Sequence, residues 1–381
     1  MKKILITSDG LWPPNINNTG MVTIFDMIKE LSQSHEVYLL TFIEKWTDSS
    51  YLDWKESIEN NNINIRIIFI NLTIKRFPKL FFYIQKIILP YFVRKYNLIY
   101  RFDSILEISS APIMVRRTSL YKYFFNGKLY HYIAVVNNGF VGKPSFIGGK
   151  IDKVFCATKT LQNKLENINN KNKFVYLPTP VKMDKFVIEE RLHKSNTNIL
   201  YLGLIDERKG IDIYVKAIKY LVDNYQEKLI NVKFNIVTRE RGGNFYSFKE
   251  KKRFIFSYLK GYEQYFSFQE KTVDTNKLFQ KTDLTIFPIT NMHGILGYPL
   301  TILECVSSET MVFVSRLDEI LEFVPDDLTF DKNDYKMLSA KILDFLDDKS
   351  KYKIVIKEIK NEIKENLDVK KIVSTLKREI K

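Results

Sequence analysis

Residues Tyr201-Leu202-Gly203-Leu204-Ile205-Asp206-Glu207-Arg208-Lys209-Gly210-Ile211-Asp212 pass from an apolar run through a glycine and a charged loop into a second glycine and an amphipathic stretch. Asn198–Gly203 has the short apolar pattern of a buried strand. From Gly210 to Tyr225 the apolar residues Ile213, Ala217, Ile218, Leu221 and Val222 recur at helical spacing, which predicts a helix. Val232–Val237 and Leu284–Pro288 read as further strands. Ile302–Val306 begins a helix, Met311–Ser315 is a strand, and the tail from Tyr335 is mostly helical. Strand, helix and strand at this spacing form βαβ units, which require a parallel sheet.

The same alternation precedes this stretch. Lys3–Thr7 predicts a strand, Asp9–Gly20 a Gly/Pro/Asn-rich loop and Met21–Ser32 an amphipathic helix. Strands are expected at Glu36–Phe42, Ile63–Leu72, Lys153–Thr158 and Phe174–Leu177, with a helix over Lys159–Asn167. The polar stretch Val187–Asn198 has the composition of a linker. A chain of 381 residues suits two domains. The expected boundaries are 1–190 and 191–381. Residues Arg101–Gly149 carry no clear periodicity.

Composition narrows the class. Hydrophobic residues at 45% and charged residues at 27% describe an ordinary globular chain and exclude intrinsic disorder. Cys156 and Cys305 are far apart in sequence, which argues against a disulfide scaffold or a cysteine-based zinc cluster and suits a reducing compartment. No apolar run is long enough to span a bilayer, and the apolar opening breaks at Asp9, so no signal peptide is expected. These features predict a cytoplasmic protein.

The net charge is +15, and it is unevenly spread. Asn60–Ile151 holds fourteen Lys/Arg and two acids, Asp103 and Glu107, or +12 in this stretch. Such a patch seeks an anionic partner or is the solvated face of a Lys-rich chain. Within it, Leu80, Ile84, Ile87 and Tyr91 fall on one helical face, and Pro90 is expected to kink the helix. Basic, aromatic and aliphatic residues together suit a membrane interface through Arg76, Lys79, Lys86, Arg94 and Lys95. A core-packing helix with a wet face fits the same pattern. Nucleic acid is not expected, because the aromatics follow helical spacing instead of forming a stacking platform.

No Walker loop, GxGxxG, HExxH or GxSxG motif occurs. The stretch Tyr201–Asp212 instead resembles the opening of the second domain in retaining GT-B glycosyltransferases of family 4. A second match, Gly297-Tyr298-Pro299-Leu300-Thr301-Ile302-Leu303-Glu304-Cys305-Val306, is similar to that family's donor-site helix. Three shorter matches keep the family's order: Asp9-Gly10-Leu11-Trp12-Pro13-Pro14 with Gly20, Phe155-Cys156-Ala157-Thr158-Lys159, and Leu177-Pro178-Thr179-Pro180-Val181 running on to Phe186.

The resemblance implies an α/β protein of two Rossmann-like domains facing each other across a cleft, with C-terminal helices packing back on the N-terminal domain. It implies transfer of a sugar from a nucleotide-diphosphate donor to a glycan or lipid-linked acceptor, with retained configuration and without a metal or other cofactor. The leaving diphosphate then needs cationic or dipolar stabilisation. Lys209 beside a helix N-terminus supplies it, with Arg208 near. Glu304, a lone carboxylate in an apolar run, takes the family's role of accepting hydrogen bonds from the donor ribose.

Gly20, Gly203, Gly294 and Gly297 allow close backbone approach. Leu300 and Thr301 open the donor helix, His293 lies beside the glycine loop, and His131 is the candidate for a cleft histidine. A lone histidine is more often structural. Two positions depart from the family pattern: Leu204 stands where an Arg is usual, and Leu296 where a Glu is usual. They motivate an alternative reading, a catalytically degenerate protein that binds nucleotide sugars or glycans. The basic stretch implies peripheral contact with an anionic membrane at its inner face.

Overall fold

The computed structural model describes the chain apart from residues 9–18, 44–48, 62–63, 72–77, 110–111, 136–149, 168–172, 183–195, 206, 239–247, 271–273, 294 and 381. All counts of elements below refer to the described residues. The chain forms two compact units. The first is Met1–Lys182 with His293–Tyr298 and Asn366–Lys381; the second is Met183–Met292 with Pro299–Glu365. The chain passes from the first unit to the second after Lys182, and two later segments return to the first unit.

The first unit contains β1 (Lys3–Ser8), α1 (Thr19–Ser32), β2 (Glu36–Ile43), α2 (Ser49–Asn60), β3 (Ile65–Asn71), α3 (Pro78–Tyr100), β4 (Ser104–Ile108), α4 (Pro112–Leu120), β5 (Lys128–Ile133), β6 (Lys153–Cys156), α5 (Lys159–Glu166) and β7 (Phe174–Tyr176). Its seven strands are parallel, in the order β3-β2-β1-β4-β5-β6-β7. Alternation along the strands sorts their side chains onto two faces. Ile4, Ile6, Val37 and Leu39 join one apolar cluster, in which α1 contributes Ile24, Phe25, Ile28 and Leu31. Leu5, Tyr38, Leu40 and Phe42 join the other, where α3 contributes Leu89 and Val93.

The sequence stretch without clear periodicity holds β4, α4 and β5. Helix α3 runs through Pro90 without ending there; Leu89 and Val93, on either side of it, are both fully buried. That packing outweighs the missing N–H and the expected break.

The second unit contains β8 (Thr197–Leu202), α6 (Ile211–Tyr225), β9 (Val232–Thr238), α7 (Phe248–Tyr258), β10 (Phe266–Glu270), α8 (Thr275–Gln280), β11 (Leu284–Phe287), α9 (Leu300–Ser307), β12 (Met311–Ser315), β13 (Thr329–Phe330), α10 (Tyr335–Asp347) and most of α11 (Ser350–Leu367). Its strand order is β10-β9-β8-β11-β12-β13, again parallel. The apolar stripe predicted for α6 is buried from Ile211 to Val222, and the Tyr214 hydroxyl donates to the Ile199 carbonyl on β8 at 3.0 Å. The last helix, α12 (Val369–Glu379), lies in the first unit. Val369, Ile372, Val373 and Leu376 enter the same cluster as α1, and Lys153 pairs with Glu379. C-terminal helix packing on the N-terminal unit is thus present.

Candidate donor site

In the second unit the chain winds outward from β8 to β9 and β10, then returns to place β11 on the other side of β8. The carboxyl ends of β8 and β11 therefore form a topological switch point, where open parallel sheets receive ligands. Sequence and geometry converge there. Gly203 directly follows β8, its N–H donating to the Val237 carbonyl at 3.2 Å. The buried Tyr201 hydroxyl donates to the Leu204 carbonyl at 2.8 Å and fixes the turn. Glu207–Lys209 then form one 3-10 turn.

Gly210 follows with φ of 64°, the left-handed region that glycine adopts without strain. A Cβ at this position would lie 1.8 Å from the Pro288 carbonyl oxygen. The loop is further tied to the exit of β11: Thr290 N–H donates to the Arg208 carbonyl at 2.9 Å, and its hydroxyl to the Glu207 carbonyl at 3.2 Å. Arg208 and Lys209 are both half-buried at the start of α6, where unpaired backbone N–H groups and the helix dipole favour an anion.

Helix α9 follows β11 in the chain. Its side chains are buried except for Thr301 and Glu304, both half-buried. Their spacing of three puts them on one face. Leu300 is buried, which leaves the backbone N–H of the first turn as the polar group it offers.

The segment His293–Tyr298 belongs to the first unit. His293 is exposed, and Gly294 lies outside the described residues. Gly297 N–H donates to the Ala134 carbonyl at 3.0 Å, Leu296 bridges Val135, and the Tyr298 and Tyr176 hydroxyls are 2.6 Å apart. A Cβ on Gly297 would come within 2.5 Å of the Ala157 Cβ. Leu296 packs against the cluster shared by α1 and α12. An apolar residue therefore has a packing reason at the position where the family pattern carries Glu.

His131 does not fit the role of a cleft histidine. It lies within β5 with no exposed surface. Its Nδ1 is 2.9 Å from the Thr118 hydroxyl and its Nε2 is 3.2 Å from the Ser109 hydroxyl. Burial, reinforced by the Arg117 guanidinium, holds its pKa down to about 3. It is a neutral interior residue here, with both nitrogens engaged. Beside it, the buried Glu107 meets Arg117 and accepts from the Tyr121 hydroxyl at 2.8 Å. The sequence carried a signal for this carboxylate: like Glu304, Glu107 interrupts an apolar run.

Gly20 is the second residue of α1, whose N-terminus follows the loop after β1. Arg76 lies outside the described residues, as do the side chains of Lys79 and Lys86 on α3. Arg94 and Lys95 are exposed on the same helix. Among the described residues no helix is long and apolar enough to cross a membrane.

Residues 183–362 match the family model for glycosyl transferases group 1. That span takes in most of the second unit. Solved structures extend the likeness of fold to the whole chain. Sucrose-phosphate synthase from Thermosynechococcus elongatus is 14% identical, with a TM-score of 0.77, covering 99% of this chain and 98% of that one. Anabaena HepE in complex with UDP and glucose is 12% identical, with a TM-score of 0.72 and 99% coverage of both chains. An E. coli trehalose-6-phosphate protein bound with UDP-2-fluoro glucose is 11% identical, with a TM-score of 0.74, covering 100% and 99%. No curated protein matches the sequence. The fold is GT-B, with two Rossmann-like α/β units, and the enzyme is a glycosyltransferase.

Proposed function

We propose that this glycosyltransferase moves a sugar from a nucleoside-diphosphate donor to a saccharide or lipid-linked acceptor, with retention of anomeric configuration and without a metal. The observation that carries the reading is the clamped Lys209-Gly210 turn at the switch point of the second unit, within the span that matches the group 1 family model. The bond from the anomeric carbon to the diphosphate breaks, and negative charge grows on the leaving group. Lys209, Arg208 and the start of α6 meet that charge with groups already in place. Glu304, at the open face of α9, accepts from the donor ribose, and Thr301 stands on the same face. The acceptor oxygen bonds to the anomeric carbon, and the nucleoside diphosphate departs. HepE and the E. coli protein were solved with UDP or UDP-sugars, which supports a nucleotide-sugar donor and puts UDP-sugars first among those to test. The basic stretch of the first unit brings the enzyme to an anionic membrane surface.

A thermal-shift screen against UDP-, GDP- and ADP-sugars tests the donor class, since a specific ligand stabilises the folded state by mass action. Stabilisation by one donor, followed by transfer or slow hydrolysis of that donor, supports the enzyme. Stabilisation without turnover on any acceptor supports the second reading, a degenerate binding protein. Leu204 and Leu296 favour that second reading. No stabilisation by any nucleotide sugar refutes both.

A further inference from the structure

The outer face of α3 has a composition that packing does not account for. Leu89 and Val93 are buried in the first unit's core, with Phe92, Tyr96 and Tyr100 packed partly against it. These residues complete the helix's inward face. Tyr91, Arg94, Lys95, Leu98 and Ile99, at spacings of three and four, make up the opposite face. Tyr91 is 64% exposed, Leu98 73% and Ile99 58%. Two adjacent large aliphatic side chains held this far into water are unusual on a helix whose other face already fills the core.

Two elements against which α3 packs continue the pattern. These are α4 and the turn at Tyr121–Tyr123. Leu120, at the end of α4, is exposed, and Tyr123 is 74% exposed with the Lys150 Nζ 3.4 Å from its ring centroid. Arg101, directly after α3, is exposed as well. Acids in these segments are few and occupied. Asp103 accepts the Lys3 backbone N–H at 2.7 Å, Glu107 is buried against Arg117, and Asp152 holds Lys122 and Lys128.

We infer that Tyr91, Leu98, Ile99, Leu120 and Tyr123, ringed by Arg94, Lys95, Arg101 and Lys150, form a docking surface for an anionic lipid bilayer. The inference deepens the membrane contact proposed above. It moves its centre from the amino-terminal half of the basic stretch to the carboxyl-terminal half of α3 and the neighbouring turn. Leucine and isoleucine enter the acyl boundary, tyrosines sit at headgroup level, and the cations meet lipid phosphates. Charge complementarity selects the partner: a second copy of this chain would set the same cations against each other. Each cation near an anionic surface contributes about 1 kcal/mol, or about fivefold in partitioning, and the attraction decays over ~8 Å at physiological salt.

The test is sedimentation of the full chain with vesicles of phosphatidylcholine alone and of phosphatidylcholine with an equal part of phosphatidylglycerol, at low and high salt, without donor. Wild type should pellet with the anionic vesicles at low salt only. Leu98→Ser with Ile99→Ser should reduce the bound fraction at least tenfold. Arg94, Lys95, Arg101 and Lys150 changed together to Gln should abolish binding. A control removes the same charge from exposed positions in the second unit, with Lys281, Lys353, Lys357 and Lys364 changed to Gln, and should bind like wild type.

Equal losses in the charge variant and the control would mean non-specific attraction to a cationic chain and overturn the inference. So would no pelleting of wild type. So would a concentration-dependent dimer in sedimentation velocity that the Leu98/Ile99 variant abolishes. Every substituted residue is exposed, and melting curves check that each variant folds. Donor-induced stabilisation is measured in parallel, so failure of the membrane surface and failure of the glycosyl-transfer reading are separate results.

Discussion

Gly210→Ala, set beside Gly261→Ala, isolates what the Lys209-Gly210 turn contributes. Both glycines have positive φ, 64° and 87°, and both lie in the second unit. An added Cβ at Gly261 meets nothing within 4 Å, whereas at Gly210 it meets the Pro288 carbonyl oxygen at 1.8 Å. At either site alanine suffers the left-handed penalty of about 1–2 kcal/mol. This is partly offset by about 0.4–1 kcal/mol from a stiffer unfolded chain. Gly261→Ala should therefore lose about 1 kcal/mol or less.

At Gly210 backbone must also move away from backbone. Separating the turn from Pro288 breaks the two hydrogen bonds from Thr290 to Arg208 and Glu207, at about 1 kcal/mol each. The expected total is ~3 kcal/mol. For a unit of this size that is a drop of roughly 6–12 °C in melting temperature, against a few degrees for Gly261→Ala. Circular dichroism melts of both variants read the difference, and titration of the donor reads the displacement of Lys209. If the two variants melt together, or Gly210→Ala keeps wild-type donor affinity, the clamp does not position the turn.

Lys209→Ala should lower kcat more than it raises KM, because charge on the diphosphate grows toward the transition state; steady-state kinetics at saturating donor decide this, and unchanged kcat moves the cation to Arg208. Glu304→Gln should weaken donor binding by about 1.5–3 kcal/mol, since a charge-assisted hydrogen bond is lost, with an unaltered melting temperature; calorimetric titration of the donor measures it. The buried His131 has its pKa held down to about 3 by burial, so its stabilisation is complete above the unfolded value near 6.5 and is lost as pH falls toward 3. The slope is at most ~1.4 kcal/mol per pH unit, or about 2 kcal/mol between pH 6.5 and 5. Urea titrations at the two pH values should show this loss in wild type and not in His131→Gln.

The second unit was readable because its decisive turn is local. Gly203, Lys209, Gly210 and the α6 stripe lie within one βα connection, whereas the clamp from Pro288 and Thr290 comes from the exit of β11 and is a tertiary fact. The first unit was readable where strand and helix alternate close together, as in β1, α1 and β2. Strands β4 and β5 escaped because parallel strands covered on both faces show no alternation, and their interior polar residues Glu107 and His131 find partners from elsewhere in the chain. His131 finds Thr118 on α4 and Ser109 beyond β4, so its neutrality is a tertiary fact. The same holds for Leu296, which reads as a lost glutamate until its packing on Val135 and the first unit's core is seen.

The return of residues 366–381 to the first unit has a consequence for synthesis. A ribosome delivers the β1–β7 sheet early, yet one face of its core is closed by Val369, Ile372, Val373 and Leu376, which arrive almost two hundred residues after β7. The second unit has all its strands before then. Until α12 emerges, the apolar side chains of α1 lack that cover, and the nascent first unit is open to aggregation or chaperone capture. Completion of the first unit therefore waits on the second, and a fragment cut at residue 182 would carry the sheet without its closing helix.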